Sequence, residues 1–280
     1  METFKLNNGL EIPAVGFGVY KIEDEVIATQ SVLDALEVGY RLIDTAQLYV
    51  NEQAVGDAII RSGLPREDIF VTTKVWPSNA GYDKAKASIV ESMAKLQLDY
   101  VDCIMIHQPF GDYYGTYRAL EELYHDEVIR SVGVSNFYPD HLLDIIHYNK
   151  VVPVLNQIEA HVFAQRLDEV ELMQELGVVP QAWSPLARGE NNLFKHELLT
   201  EIGNQYHKTP AQVALKYLIQ RGISVIPKSV RKERMKENID LFDFTLSESD
   251  LERIKELDHQ FRFTDHTDVE AVKAIMNRTF

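Results

Sequence analysis

The chain has 280 residues, 45% hydrophobic and 25% charged, an ordinary globular composition with apolar material for a full core. Its 28 Lys and Arg stand against 43 Asp and Glu, a formal net charge of −15, which argues against a general nucleic-acid binder because the phosphate backbone would repel it. Cys103 is the single cysteine, so no internal disulfide is possible, and a buried, inert thiol in a reducing compartment is expected.

The chain opens with Phe4-Lys5-Leu6, Asn7-Asn8-Gly9 and Leu10-Glu11-Ile12, which reads as a β-hairpin around an Asn-Gly turn. Short apolar runs then alternate with amphipathic stretches. The strand-like runs are 14–16, 40–43, 69–73, 101–106, 132–134, 154–157, 178–182 and 224–226. The helix-like segments are 24–38, 52–61, 84–96, 116–125, 140–147, 168–175, 210–220 and 232–240, and two more, 248–257 and 269–276, follow Leu246. Such alternation predicts an α/β fold, a single (β/α)₈ TIM barrel over residues 1–280 of about the usual 250-residue size, with extra C-terminal helices. An open doubly wound sheet is the rival that periodicity alone leaves standing. The hairpin is suited to plug the barrel floor. No basic segment followed by an apolar stretch opens the chain, and no apolar run is long enough to cross a membrane. A cytoplasmic monomer is the expectation.

In a barrel, chemistry belongs where strands end. Asp44 ends the second predicted strand, Lys74 the third and His107 the fourth, and Tyr49 follows Asp44 by one short loop. Each has a plain structural reading: a helix-capping Asp, a solvated Lys, a loop His, a packed Tyr. Adjacent strands lie about 4.8 Å apart, so three neighbouring strands would bring these groups together. Together they suit proton donation to a carbonyl. A free phenol has a pKa of about 10, and a nearby ammonium favours its ionised form. A carboxylate would hold the ammonium, and the imidazole would orient the carbonyl oxygen opposite a hydride donor.

A second constellation points to a nucleotide. Ile226-Pro227-Lys228-Ser229-Val230-Arg231 runs from the last strand into a helix that carries Lys232, Arg234 and Lys236. A helix N-terminus at that place in a barrel is a phosphate cradle, and the cations suit the 2′-phosphate of NADP. The plain alternative is a solvated helix face, with Glu233 and Glu237 offsetting the charge. Gly16-Phe17-Gly18 is no dinucleotide fingerprint, since Lys21 stands where the third glycine belongs. No metal-ligand spacing and no serine-hydrolase elbow occur.

These segments resemble the aldo-keto reductases over nearly the whole chain, most closely the bacterial members that include the 2,5-diketo-gluconate reductases. GYRLIDTAQLYVNE, VTTKVW and IMIHQP match the segments that carry the catalytic Asp44, Tyr49, Lys74 and His107. The resemblance implies that Tyr49 is the general acid, that Lys74 lowers its pKa, that Asp44 pairs with Lys74, and that His107 orients the carbonyl. VGVSNF and LNQIEAH imply that Ser135, Asn136 and Gln157 bind the nicotinamide carboxamide. AWSPLARG implies stacking and pyrophosphate contacts from Trp183, Ser184, Pro185 and Leu186. IPKSVRKERMKENIDLF implies adenosine-phosphate binding by Lys228, Ser229, Val230, Arg234, Glu237 and Asn238. The implied reaction is NADPH-dependent reduction of small aldehydes, ketones, dicarbonyls or keto-sugars, with no metal. Tyr20, where many members carry a tryptophan, is an expected pocket wall with Trp76 and Phe110. A barrel aldolase using Lys74 as a Schiff base, and an NADPH-sensing regulatory protein, are the alternative readings.

Overall fold

A computed structural model describes residues 2–278. Strands β1 (Thr3–Lys5) and β2 (Glu11–Pro13) form the expected hairpin, with Phe4 opposite Ile12. The turn is one residue wider on each side than the sequence suggests. Leu6 and Leu10 leave the ladder and join an apolar layer with Ile12, Leu42, Phe70, Met105 and Leu155. This layer is the floor of a barrel. Cys103 lies within it, and burial pushes its thiol up to about 12.

Eight parallel strands follow: β3 (Phe17–Gly18), β4 (Leu42–Asp44), β5 (Phe70–Val75), β6 (Cys103–Ile106), β7 (Val132–Ser135), β8 (Leu155–Glu159), β9 (Val179–Trp183) and β10 (Ser224–Val225). Each pairs with its sequence neighbour. Residues 14–16, expected as the first barrel strand, close the ring instead. Gly16 N donates to Val225 O at 2.8 Å and Val225 N to Ala14 O at 2.9 Å, while the next two residues pair with β4. The open-sheet rival is thereby removed, and the barrel reading stands.

Five strands run past their expected ends, to Asp44, Val75, Ser135, Glu159 and Trp183. An apolar run is cut where it turns polar, and in this barrel polarity begins where the rim begins.

The helices around the barrel are α1 (Glu25–Val38), α2 (Glu52–Ser62), α3 (Tyr82–Leu96), α4 (Tyr113–His125), α5 (Pro139–Tyr148), α6 (Leu167–Glu175), α7 (Glu197–Tyr206), α8 (Pro210–Gln220) and α9 (Lys232–Ile239). Helix α7 was not expected. Its Gly203 reads as a helix breaker, yet a Cβ there would sit 2.3 Å from Lys208 O, so packing requires the glycine. Ahead of α7, Ala187–Lys195 is a kinked 3₁₀ segment with Arg188, Asn191 and Asn192 in left-handed conformations.

The tail forms α10 (Glu248–Lys255), which starts on a capping box of Ser247 and Asp250, and then α11 (Val269–Met276). Between them the chain crosses the rim. Phe261 N donates to Phe163 O at 3.0 Å, and the Glu159 carboxylate accepts from Phe263 N at 2.7 Å and Thr264 N at 3.2 Å. No helix among the described residues is long and apolar enough to cross a membrane.

Candidate active site

Parallel pairing sets Asp44 level with Thr72 on β5, two residues before Lys74. The side chains meet inside the rim. Lys74 Nζ donates to both Asp44 oxygens at 2.8 Å and to Thr45 O at 2.9 Å. It reaches Tyr49 Oη at 3.5 Å. Thr72 Oγ1 donates to Asp44 Oδ1 at 2.6 Å. Tyr49 ends a 3₁₀ turn, Gln47–Tyr49. Gln47 anchors that turn by donating to Ser92 Oγ at 3.2 Å and accepting from Trp76 N at 3.1 Å. His107 follows β6 and donates its N–H to Val75 O at 3.0 Å. Its ring meets Tyr49 edge-on at 5.6 Å and Trp76 edge-on at 4.9 Å between centroids. All four expected catalytic residues therefore converge.

The electrostatics differ from expectation at Tyr49. Its pKa is raised well above 10, by burial first and then by the Asp44 charge, where the sequence reading had Lys74 lowering it. The Lys74 ammonium, 3.5 Å away and paired with its own carboxylate, does not outweigh these effects. Tyr49 is a firmly protonated donor. Burial lowers Lys74, and Asp44 opposes that shift. His107 lies well below 6.5 through burial and the charges of Lys74 and Arg278, so it is a neutral imidazole at pH 7. Its Nδ1 is buried without a hydrogen-bond partner among the described residues. Lys74 itself is wholly buried and held by three acceptor atoms, which disfavours a Schiff-base nucleophile.

The residues expected at the nicotinamide form one connected group beside the tetrad. Ser135 Oγ donates to Gln157 O at 3.0 Å. Asn136 Nδ2 donates to His107 O and to Ser135 Oγ, both at 3.0 Å, and Asn136 Oδ1 accepts from Trp183 Nε1 at 2.9 Å. Gln157 Nε2 donates to Asp44 Oδ1 at 2.9 Å and Gln181 Oε1 at 2.8 Å, leaving its amide oxygen for a ligand. The chain of polar contacts continues from Gln181 through Ser224 to Pro13 O, crossing the barrel interior from the Asp44 carboxylate to the hairpin.

A cavity of about 700 Å³ spans these groups. Tyr20, Trp76, Trp183, Ser184, Pro185, Leu186, Lys228 and Arg234 line it as expected. Other expected residues do not line it. Phe110 stacks on His266 at 6.0 Å between centroids, and it is His266 that lines the cavity. Ser229 is buried, with its hydroxyl bonded to the backbone of Arg231. Val230 points outward, 48% exposed. Glu237 accepts from Thr209 Oγ1 at 2.6 Å, and Asn238 is buried in α9. Of the cationic cluster, Lys232 is drawn to Glu37 at 2.7 Å and Asp34 at 3.5 Å on α1. Lys228 and Arg234 alone of that cluster face the cavity. Two further parts of the lining lie outside the expected site residues: Arg188 and Phe194 of the kinked segment, and Phe263, Ala271, Ile275 and Arg278 of the tail. The tail's helix was legible; its docking over the rim depends on Glu159, a contact across about a hundred residues that no local pattern encodes.

An eight-stranded barrel with a buried lysine–carboxylate pair, a protonated phenol and a neutral imidazole at one rim defines a class of carbonyl-reducing barrel enzymes. The chain belongs to the aldo/keto reductase family, whose sequence model matches residues 14–259, and it is an oxidoreductase acting on carbonyls. It is similar to a glyoxal reductase of Bacillus subtilis, 44% identical over 93% of this chain and 94% of that one. It is also similar to the methylglyoxal reductase DkgA of Escherichia coli, 37% identical over 91% and 92%. Among solved structures, a Bombyx mori aldo-keto reductase in complex with NADP superimposes with a TM-score of 0.90 at 34% identity, covering 96% of each chain.

Proposed function

We propose that the protein reduces small aldehydes, ketones, dicarbonyls or keto-sugars to alcohols with NADPH, Tyr49 being the general acid. The observation that carries this reading is the position of Tyr49 Oη, 3.5 Å from Lys74 Nζ and beside His107 in the cavity wall. The cofactor fits the residues present: the cavity runs from this phenol past Ser135, Asn136 and Trp183 to Lys228 and Arg234, pairing an aromatic and amide end with a cationic one. NADPH, when bound, supplies the hydride. The names of the relatives support small dicarbonyls as substrates, and the resemblance to 2,5-diketo-gluconate reductases keeps keto-sugars in view.

The chain's own groups do the rest. Neutral His107 holds the carbonyl oxygen by a hydrogen bond. The phenol proton of Tyr49 passes to that oxygen, which completes the alcohol's hydroxyl group. Lys74 stands ready to stabilise the phenolate that forms, and Asp44 keeps the lysine charged and in place.

The test follows the loss of NADPH absorbance with a panel of such carbonyls. Tyr49→Phe retains the ring and removes the acid. Turnover should fall by about 100-fold or more, while NADPH binding, read by tryptophan fluorescence, persists. Undiminished turnover in this variant would remove Tyr49 from the proposal.

A further inference from the structure

The cavity carries a charge that the proposed cofactor leaves over. Asp44 is the acidic side chain in the lining, and it is paired with Lys74 at 2.8 Å. The lining cations are Lys21, Arg188, Lys228, Arg234 and Arg278. In a chain of net charge −15, that concentration focuses a positive field in one cleft. Lys228 and Arg234 belong to the phosphate segment, and Arg188 lies over the ring of Phe263 at 4.1 Å. Arg278 stands at the other end, against the substrate walls.

Two contacts hold it there. Trp76 Nε1 donates to Arg278 O at 2.7 Å, and Arg278 Nη1 donates to Tyr20 Oη at 3.2 Å. Those two aromatics are the neighbours of the reacting groups: Tyr20 packs on Tyr49 at 5.0 Å and Trp76 on His107 at 4.9 Å between centroids. The charge is felt at both, opposing the rise at Tyr49 and adding to the fall at His107. Among the described residues Arg278 has no carboxylate within salt-bridge distance. Its place follows from the tail. Ala271, Ala274 and Ile275 line the cavity from one face of α11, and Arg278 lines it two residues past the helix end. The two alanines are small side chains in that lining, and the guanidinium follows just beyond the helix.

We propose that Arg278 is a specificity-determining residue, selecting carbonyl substrates that bear a carboxylate a short chain away from the reacting carbon. The guanidinium binds the carboxylate through its paired N–H groups while Tyr49 and His107 hold the carbonyl oxygen. This inference rests on the reductase reading and narrows its substrate class.

The experiment compares 4-oxobutanoate with its methyl ester, which differ by one charge, in the wild type and in Arg278→Gln and Arg278→Lys. The wild type should favour the acid. In Arg278→Gln the ratio of kcat/KM for acid over ester should fall about ten-fold or more, mainly through KM, and Arg278→Lys should keep part of the preference. A ratio that stays the same in Arg278→Gln, including equal losses on both substrates, overturns the proposal, since a purely structural pin would affect acid and ester alike. A second readout needs no turnover. Both tryptophans of the chain, Trp76 and Trp183, line this cavity, so intrinsic emission reports its occupancy. Butanoate should quench that emission at lower concentration than butanamide, and Arg278→Gln should abolish the difference. If neither carbonyl is reduced, the anion site stands with the charge-dependent quenching or falls without it.

Discussion

Asp44 and Lys74 are both buried, so each is tolerated because of the other. Taking such a pair out of water is costly, and removing one partner strands the other charge. Lys74→Met should therefore destabilise the fold by about 3–5 kcal/mol, read from urea unfolding, and should also abolish turnover. Asp44→Leu/Lys74→Met should recover much of that stability without recovering activity. If the double variant is no more stable than Lys74→Met, the pair is not the source of the loss. These residues were legible in the sequence because each stands at a strand end, but the balance among their charges was not. Burial first and the Asp44 charge second keep the phenol protonated, and only the folded geometry supplies them.

At the scale of elements, helix packing depends on a few close approaches. Gly56 on α2 meets the end of α3 so tightly that an added Cβ would lie 2.2 Å from Leu96 O. The obstacle is backbone, so the helices must separate. Gly56→Ala should lower stability by about 1–3 kcal/mol despite the better helix propensity of alanine, with circular dichroism melting as the measure. A melting temperature that rises, as propensity alone predicts, would contradict this packing. The barrel alternation was readable from apolar runs and the C-terminal helix α11 to the residue. Strand ends and α7 were not, because the rim is polar by necessity and because Gly203 satisfies a neighbour rather than its own helix. The tail's route was hidden for a different reason. It is held by single contacts, Glu159 to Phe263 and Thr264 and His266 to Gln108 at 2.6 Å, each made between distant parts of the sequence.

For the molecule as a whole, two imidazoles, one buried and one half-buried, set a response to acid. His266 is pushed from 6.5 down to about 4, by burial first and then by the Arg166 charge, and His107 is lowered as well. Above pH 6.5 both are neutral, folded or unfolded, and contribute nothing to the pH dependence. Below that the unfolded chain binds protons that the folded one refuses, so stability falls with pH until the folded groups titrate, near pH 4 for His266. The melting temperature should decline from pH 6.5 to pH 4. His266→Gln, which keeps a polar group opposite Gln108, should flatten that decline. An equally steep decline in the variant would show that His266 does not drive it.

The floor of hairpin and apolar side chains has a consequence for traffic. With that pole sealed, molecules of cofactor and of substrate size share one doorway, and α11 stands in it. Both would meet the lining that Ala271, Ala274 and Ile275 of that helix contribute. Substitutions on that helix are therefore expected to change how long a ligand stays as well as how tightly it is held.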